Sequence, residues 1–201
     1  MSNDFFAHKA QAYEQSPDRV DNVSNIANRI LEKNSLDPSM HLLDFGSGTG
    51  LLLERIAHHV SKITAVDISP AMNRQLAEKQ DRLACELEVR ELDLEKQTME
   101  DRFDGVISSM TMHHVRDVEA MFRRFHELVK PGGFIAISDL DKEDGSFHTE
   151  DTGVFHCGFD RSGIASAAQR AGFDNVEVVS ASVIKRETGN YPVFLLIASR
   201  C

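Results

Sequence analysis

A glycine-rich segment holds the residues of this sequence best suited to bind a small ligand. Gly46, Gly48 and Gly50 follow Asp44 at alternate positions. Glycines between a strand and a helix let the backbone approach a ligand closely, because no Cβ intervenes. The dinucleotide-binding pattern requires a glycine at position 51, where this chain has Leu51. Asp44 suits a ligand that carries an ammonium group, and a purely structural turn is the alternative for the loop taken alone.

Two further carboxylates are spaced to complete such a site. Asp67 stands about 20 residues after Gly46, at the end of the next apolar run. A carboxylate at that point of an α/β fold can accept hydrogen bonds from both hydroxyls of a ribose. Asp93 follows a third apolar run and could meet the amino group of an adenine. Each acid alone is typical of an exposed strand end, but together with the glycine loop they favour a ligand that contains a nucleoside.

Adjacent histidines follow a fourth apolar run. His113 and His114 stand just after this run, where an α/β sheet places its ligands. Histidine titrates near neutrality and can accept a proton during a reaction. The alternative is that one of the pair caps or packs against the next helix.

An acidic stretch that contains histidine follows the fifth apolar run. It begins at Asp139 and includes His148. One interpretation is a lid over a substrate, with Asp139 or His148 as a base. A second is a divalent metal site that also uses His156, and a third is a solvated loop. The calcium-loop pattern does not fit, because Leu140 would stand at its first position.

The elements that must position these residues alternate along the chain. Such alternation predicts a mostly parallel sheet with helices on both faces. The last two strands are joined by a short turn at 188–190 without a helix, so they must be antiparallel. The predicted strands are 41–45, 63–66, 88–92, 103–108, 134–138, 176–184 and 193–198, and the predicted helices are 20–32, 51–58, 118–129, 161–171 and one that begins at Ser69-Pro70.

The length and charge of the chain limit its function class. At 201 residues it fits a single domain, which we expect to consist of an N-terminal helical cap over the site at 1–38 and an α/β core at 39–201. The formal net charge of −10 argues against a nucleic-acid substrate, because such enzymes carry a basic stripe. The basic pairs at 123–124 and 185–186 are interpreted as solvated faces.

Location follows from what the sequence lacks. No apolar run approaches the roughly 20 residues that span a bilayer, and the first residues show no signal-peptide pattern. Three scattered cysteines suit neither a disulfide framework nor a zinc site. We therefore expect a cytoplasmic protein with no membrane span and no bound metal.

Four ordered motifs carry a resemblance to a known family. L-D-F-G-S-G-T-G at 43–50, V-D-I-S at 66–69, F-D-G-V at 103–106 and L-V-K-P-G-G at 128–133 resemble the class I S-adenosylmethionine-dependent methyltransferases. The most similar subgroup comprises small-molecule enzymes related to the ubiquinone/menaquinone C-methyltransferases. The resemblance implies a doubly wound, Rossmann-like sheet of seven strands. It also implies S-adenosylmethionine as the cofactor, S-adenosylhomocysteine as the product and a small-molecule methyl acceptor.

Carried over residue by residue, the resemblance also implies a set of cofactor contacts. The glycine loop would hold the methionine portion and Asp67 the ribose, while the carbonyl of Ser109 would meet the methionine ammonium. Tyr13 resembles an aromatic residue that covers the cofactor, and His114 is the better catalytic candidate of the histidine pair. The implied cofactor-binding residues are Tyr13, Asp44, Gly46, Ser47, Gly48, Asp67, Ile68, Met72, Asp93, Leu94, Ser109 and His114.

Three functions remain open at this point. The favoured one is a small-molecule methyltransferase, a monomer or homodimer, with His114, Asp139 and His148 as catalytic candidates. The second is a protein or nucleic-acid methyltransferase, disfavoured because the Asn/Asp-Pro-Pro-Tyr motif is absent after the fourth strand. The third is a nicotinamide-dependent oxidoreductase, disfavoured by Leu51 and the short chain. The sequence does not distinguish O-, N-, C- or S-methylation.

Overall fold

The structure, a computed structural model, describes residues 14–148 and 152–201. Helices and strands alternate along most of this length, as the sequence predicts. In chain order the elements are α1 Pro17–Lys33, β1 His41–Phe45, α2 Leu51–Ile56, β2 Lys62–Asp67, α3 Pro70–Ala77, β3 Glu86–Glu91, β4 Phe103–Ser109, α4 Val118–Leu128, β5 Val129–Leu140, α5 Arg161–Arg170, β6 Asp174–Arg186 and β7 Gly189–Ser199.

Within the described residues, seven strands form one sheet in the order β3-β2-β1-β4-β5-β7-β6. The β1, β2, β3, β4 and β5 pairings are all parallel, and β7 is antiparallel to both β5 and β6. The predicted mostly parallel sheet with a C-terminal antiparallel hairpin is thus confirmed. Because the strand order reverses between β1 and β4, a ligand crevice is expected at their carboxyl ends.

The two faces of the sheet bury separate hydrophobic clusters. Leu42 and Leu43 are neighbours on β1, but they belong to different clusters because successive strand residues point to opposite faces. One cluster includes buried residues of α1 and α2, and the other includes those of α4 and α5. Phe122 and Phe125 of α4 are fully buried, and each such side chain contributes roughly 1.5–3 kcal/mol by leaving water. Helices therefore cover both faces and hold the strand ends in place.

Several predicted boundaries were wrong by a few residues. The first helix was predicted to begin at position 20 but begins at Pro17, with Ser16 as its N-cap. The third strand was predicted at 88–92 and lies at Glu86–Glu91. The fifth was predicted at 134–138, but pairing with β7 continues through Asp139 and Leu140. These shifts leave the order of elements unchanged.

Helix α1 joins the α/β core directly. Val23, Ile26 and Ile30 on its inner face are buried in the same cluster as α2 residues. Near its carboxyl end, Lys33 pairs with Glu177 of β6 at 2.6 Å. Across residues 14–148 and 152–201, no helix has both the length and the apolar character needed to cross a membrane.

Candidate active site

The glycine loop between β1 and α2 adopts a backbone that explains its spacing. Gly46, Gly48 and Gly50 have φ angles of +68°, +54° and +89°, in the region that favours glycine. A Cβ on Gly46 would lie 2.2 Å from the Thr111 side chain, and one on Gly50 would lie 2.5 Å from Leu76. Around a Cβ on Gly48, no atom of the described chain lies within 4 Å. Two of the glycines therefore permit close packing, and Gly48 borders open space.

That open space is a cavity of about 1110 Å³ at the carboxyl ends of the parallel strands. Its wall brings together most of the residues that the sequence singled out. Those residues are Asp44, Gly46, Ser47, Gly48, Asp67, Ile68, Met72, Asp93, Leu94, Ser109, His114 and His148. Tyr13 lies outside the described residues, and Asp139 lies behind the wall.

Asp44, near the end of β1, presents a buried carboxyl group to this cavity. The residue is 1% exposed, and its Oδ2 has no hydrogen-bond partner among the described atoms. Burial, followed by the negative charge of Asp67, raises the pKa of Asp44 to about 8. A ligand ammonium at this point would supply the missing partner and favour the ionised form. The buried Asp44 carboxylate therefore fits the ammonium group at the methionine end of S-adenosylmethionine.

Asp67, the last residue of β2, ties the glycine loop to α3. Its Oδ2 accepts a hydrogen bond from the Gly48 N–H at 2.9 Å, and its Oδ1 accepts one from the Ser69 N–H at 2.8 Å. The Ser69 hydroxyl accepts one in turn from the Met72 N–H and caps α3. These bonds hold the carboxylate on the cavity wall, where the prediction of a ribose contact requires it.

The predicted adenine contacts lie beside Asp67 on the same wall. Met72 and Leu94 are buried and offer apolar surfaces, whereas Ile68 is 56% exposed. Asp93 pairs with Lys96 at 2.6 Å and accepts a hydrogen bond from the Glu95 N–H. The Asp93 carboxylate thus already has two partners. An adenine amino group would have to bind it alongside Lys96 and the Glu95 N–H.

Ser109 ends β4, the strand that forms the other side of the switch point with β1. Its carbonyl oxygen accepts a hydrogen bond from Thr111 Oγ1 at 3.1 Å, and its own Oγ is buried without a partner in the described chain. A carbonyl oxygen has two lone pairs. The predicted contact with a ligand ammonium therefore remains compatible with this geometry.

Three imidazole rings form a histidine cluster farther along the wall. Its members are His113, His114 and His148, and all three line the cavity. The ring centroid of His113 lies 4.3 Å from that of His114 and 5.0 Å from that of His148. The sequence could not predict this meeting, because His148 is 34 positions from His114 (148 − 114) and belongs to the segment between β5 and α5.

Asp139 supports this cluster from behind. It is 0% exposed, and its Oδ1 lies 2.7 Å from His113 Nδ1. Its Oδ2 accepts the backbone N–H of His113 at 3.0 Å. The expectation that Asp139 acts as a base in contact with substrate needs correction, because its carboxylate is enclosed beneath His113. The geometry instead makes it a positioning residue that fixes the His113 ring.

The lowered pKa values of His114 and His148 make these two rings electrically neutral near pH 7. Burial, followed by the neighbouring charge of His113, lowers the pKa of His114 to about 4. The same causes, with Arg186 third, lower the pKa of His148 to about 4. His114 Nδ1 lies 3.3 Å from the Gly153 carbonyl oxygen, and His148 Nε2 is buried without a partner in the described chain.

Two acids in the described part of the predicted lid are engaged in local bonds. Asp141 pairs with Arg161 at 2.7 Å, and Glu143 accepts the backbone N–H of Gly145. His156 Nε2 lies 2.9 Å from the Val115 carbonyl oxygen. Within residues 14–148 and 152–201, no group of three or more His, Cys, Asp or Glu side chains is arranged to hold a metal ion.

Arg186 and Asn22 also line the cavity, although the sequence did not single them out as site residues. Lys185 and Arg186 are both exposed, as expected of a solvated pair, but Arg186 also lines the cavity with its guanidinium 3.8 Å from the centroid of the Phe147 ring. Asn22, on the buried face of α1, also lines the cavity and has an unpartnered Oδ1 within the described chain. A polar residue beside Val23 on the apolar face of a helix was the available signal for Asn22.

Comparison with known proteins agrees with this geometry. The family described as "Methyltransferase domain" matches residues 15–178. An uncharacterized methyltransferase of Schizosaccharomyces pombe is 28% identical over 181 residues, covering 82% of this chain and 61% of that protein. Phosphoethanolamine N-methyltransferase 1 of Arabidopsis thaliana is 33% identical over 115 residues, covering 55% of this chain and 23% of that protein.

A solved structure shares the fold. Phosphoethanolamine N-methyltransferase 2 of Haemonchus contortus, in complex with phosphomonomethylethanolamine and S-adenosylhomocysteine, superimposes with a TM-score of 0.75 and 17% identity. The superposition covers all of this chain and 60% of that one. The chain thus spans about three fifths of the length of these two longer proteins, from fission yeast and Haemonchus. From the family match over 15–178, the motifs and the fold, the chain belongs to the class I S-adenosylmethionine-dependent methyltransferases.

Proposed function

We propose that this chain transfers a methyl group from S-adenosylmethionine to a small molecule that binds beside the histidine cluster. The observation that carries the proposal is the continuity of one cavity from the glycine loop to His113, His114 and His148. Its volume of about 1110 Å³ exceeds the roughly 300–1,000 Å³ typical of a small-molecule site. A cavity of that size leaves room for a cofactor and a small acceptor together.

The residues at the loop end would hold the cofactor. S-adenosylmethionine supplies a methyl group on a positively charged sulfur, which is already a good leaving group. Asp44 and the Ser109 carbonyl would bind the ammonium, Asp67 would accept the ribose hydroxyls, and Met72 and Leu94 would contact the adenine. The main task left to the protein is to align the acceptor and exclude water.

On the acceptor side, we assign proton removal to His113. Asp139 faces Nδ1 of this ring at 2.7 Å, which favours the tautomer with the proton on Nδ1 and the lone pair on Nε2. Such a ring can accept a proton from an oxygen or nitrogen nucleophile. His114 and His148 stay predicted candidates, and Asp139 acts through His113.

Two of the similar proteins are phosphoethanolamine N-methyltransferases. This supports a small amine as the first acceptor class to test. The predicted likeness to ubiquinone and menaquinone C-methyltransferases stays a prediction, and so does the choice of atom that is methylated.

A labelling experiment tests the proposal. The protein is incubated with methyl-labelled cofactor and a cell lysate, which is then split into macromolecular and small-molecule fractions. We expect label in the small-molecule fraction. His113→Gln should reduce it at least tenfold while leaving binding of S-adenosylhomocysteine unchanged, since general base catalysis contributes about 10²–10⁴-fold. His126→Gln, which changes a histidine that packs on Phe173 away from the cavity, is the matched control.

Two results would contradict the proposal. Label confined to protein or nucleic acid would favour a macromolecular acceptor on the same fold. Failure of the chain to bind S-adenosylmethionine or S-adenosylhomocysteine in calorimetry would reject methyl transfer itself. Fluorescence titration with a reduced nicotinamide cofactor then tests the oxidoreductase alternative.

A further inference from the structure

Five of the carboxylates on the cavity wall lie on the side of the glycine loop, β2 and β3, at Asp44, Asp67, Glu91, Asp93 and Glu95. Arg186 is the last residue of β6, at the opposite edge of the sheet from β3. Arg19, in the first turn of α1, lines the cavity as well. Two guanidinium groups of the wall thus come from α1 and the end of β6 rather than from the elements that carry these five acids.

Like Arg116, which lines the cavity and stacks on Phe155, Arg186 packs on an aromatic ring. Its guanidinium stacks on the Phe147 ring, and its Nη1 donates to the Phe147 carbonyl oxygen. A guanidinium carries five N–H donors, so this bond leaves further donor capacity. In the described part of the chain Arg186 forms no ion pair with a carboxylate, whereas Arg90, Arg161 and Arg170 each do. Its charge thus faces a cavity without a fixed counter-ion.

The two guanidinium groups influence each other and the histidine cluster. Partial burial, followed by the positive charge of Arg19, lowers the pKa of Arg186. The charge of Arg186 also contributes to the lowered pKa of His148. His148 follows Phe147 directly, and its buried Nε2 has no partner among the described atoms. The arginine pair therefore lies beside the place where an acceptor would meet the histidine cluster.

Two acidic groups lie near Arg186 and His148 without forming an ion pair with Arg186 in the described residues. Asp18, exposed beside Arg19, lines the cavity, and its charge acts on Arg186. Glu143 acts on His148 but accepts the backbone N–H groups of Gly145 and Phe147 and lies outside the cavity wall. Asp18 is therefore the wall carboxylate whose charge acts on Arg186, and no ion pair joins the two in the described residues.

We infer that the methyl acceptor carries an anionic group, a phosphate or a carboxylate, which Arg186 binds together with Arg19. The anion would lie between α1, the end of β6 and Phe147. The planar guanidinium fork matches both oxyanions in bidentate geometry. Such an anchor would hold one end of the acceptor while its nucleophile faces the histidine cluster. The inference rests on the proposed transfer of methyl groups to a small molecule.

Anion titration of the full chain tests this site. The protein is first saturated with S-adenosylhomocysteine, and inorganic phosphate and acetate are then titrated separately by calorimetry. We expect saturable binding of at least one anion, weakened about tenfold or more by Arg186→Gln, the loss expected for a charged hydrogen bond. Lys185→Gln removes the same charge from the neighbouring exposed residue and should leave binding within about twofold. The anion that binds at the lower concentration identifies the acceptor's group as phosphate or carboxylate.

A second variant tests the site without removing the contacts between Arg186 and Phe147, which Arg186→Gln removes. Arg19 belongs to α1, and Arg19→Gln should also weaken anion binding severalfold while Arg29→Gln, farther along α1, should not. Absence of saturable anion binding, or equal affinities in Arg186→Gln and Lys185→Gln, would overturn the inference while the cofactor site stands. Failure of S-adenosylhomocysteine to bind the unmodified chain would instead reject the proposed function from which the inference starts.

Discussion

Lowering the pH should weaken cofactor binding through Asp44. The pKa of this buried carboxyl group is raised to about 8, so near neutrality the free chain carries it mostly protonated. An ammonium ligand requires the ionised form, and binding must therefore release a proton. At pH 6 about one molecule in a hundred is ionised, which predicts about 100-fold weaker affinity than for the fully ionised chain. Between pH 6 and 7 the affinity should rise about tenfold.

Calorimetry with S-adenosylhomocysteine from pH 6 to pH 8 measures this dependence. In the unmodified chain, the logarithm of the association constant should rise with a slope near one and level off close to pH 8. Asp44→Asn should bind more weakly at pH 8 and show a flat profile. Asp93→Asn is the matched control, because it removes another carboxylate of the same wall and should keep the slope.

The same group has a consequence for stability with the opposite sign. Between the ordinary carboxyl pKa of 3.8 and about 8, the folded chain holds the Asp44 proton more tightly than the unfolded chain. The free energy of unfolding without ligand should therefore fall as the pH rises through this window, and Asp44→Asn should remove this contribution. A flat binding profile in the unmodified chain, or a slope that survives in Asp44→Asn, would refute the role given to Asp44.

Three further predictions test other parts of the site. Asp67→Ala should weaken binding of S-adenosylhomocysteine by about 1–3 kcal/mol, as expected for loss of a charged acceptor; unchanged affinity in calorimetry would remove the ribose assignment. Gly48→Ala and Gly132→Ala should both lower the melting temperature, because each φ is positive. Only Gly48→Ala should also weaken binding of S-adenosylhomocysteine. Equal affinities of the Gly48→Ala and Gly132→Ala variants would contradict the loop geometry. His114 has a lowered pKa of about 4, so its contribution to stability should decrease as the pH falls from 6.5 to 4. His114→Gln should therefore lose less melting temperature than the unmodified chain between pH 7 and pH 5, and equal losses would contradict the buried neutral ring.

The fold was predictable because local signals and sheet topology agree. Ser69-Pro70 marked the start of α3, and the helix-free connection before Gly189 required an antiparallel pair. Ser16-Pro17 is the same type of signal as Ser69-Pro70, and it marks the start of α1 three residues before the apolar periodicity begins. Strand ends such as Leu140 depend on partners distant in sequence, and a single-strand pattern does not contain that information.

The sequence could predict that Asp44, Gly48 and Asp67 meet at one cavity, because these residues follow consecutive strands. Asp44, Gly48 and Asp67 lie near the ends of β1 and β2, and parallel strands bring their carboxyl ends to one edge. The acceptor end was not predictable in the same way. His148 lies in the long connection between β5 and α5, and Arg186 is the last residue of β6. Neither residue belongs to a sequence motif. The sequence identifies Asp139 as a candidate site residue, but whether it faces the cavity or His113 depends on the register of β5.

The central claim is that the glycine-loop cavity holds S-adenosylmethionine with its ammonium at Asp44 and its ribose at Asp67. A crystal structure of the full chain grown with S-adenosylhomocysteine at pH 8 tests it most directly. We expect the ligand amino group within hydrogen-bond distance of Asp44 Oδ2 and the ribose hydroxyls on the Asp67 carboxylate. A ligand seated elsewhere, or bound in this cavity with its ribose away from Asp67, would contradict it.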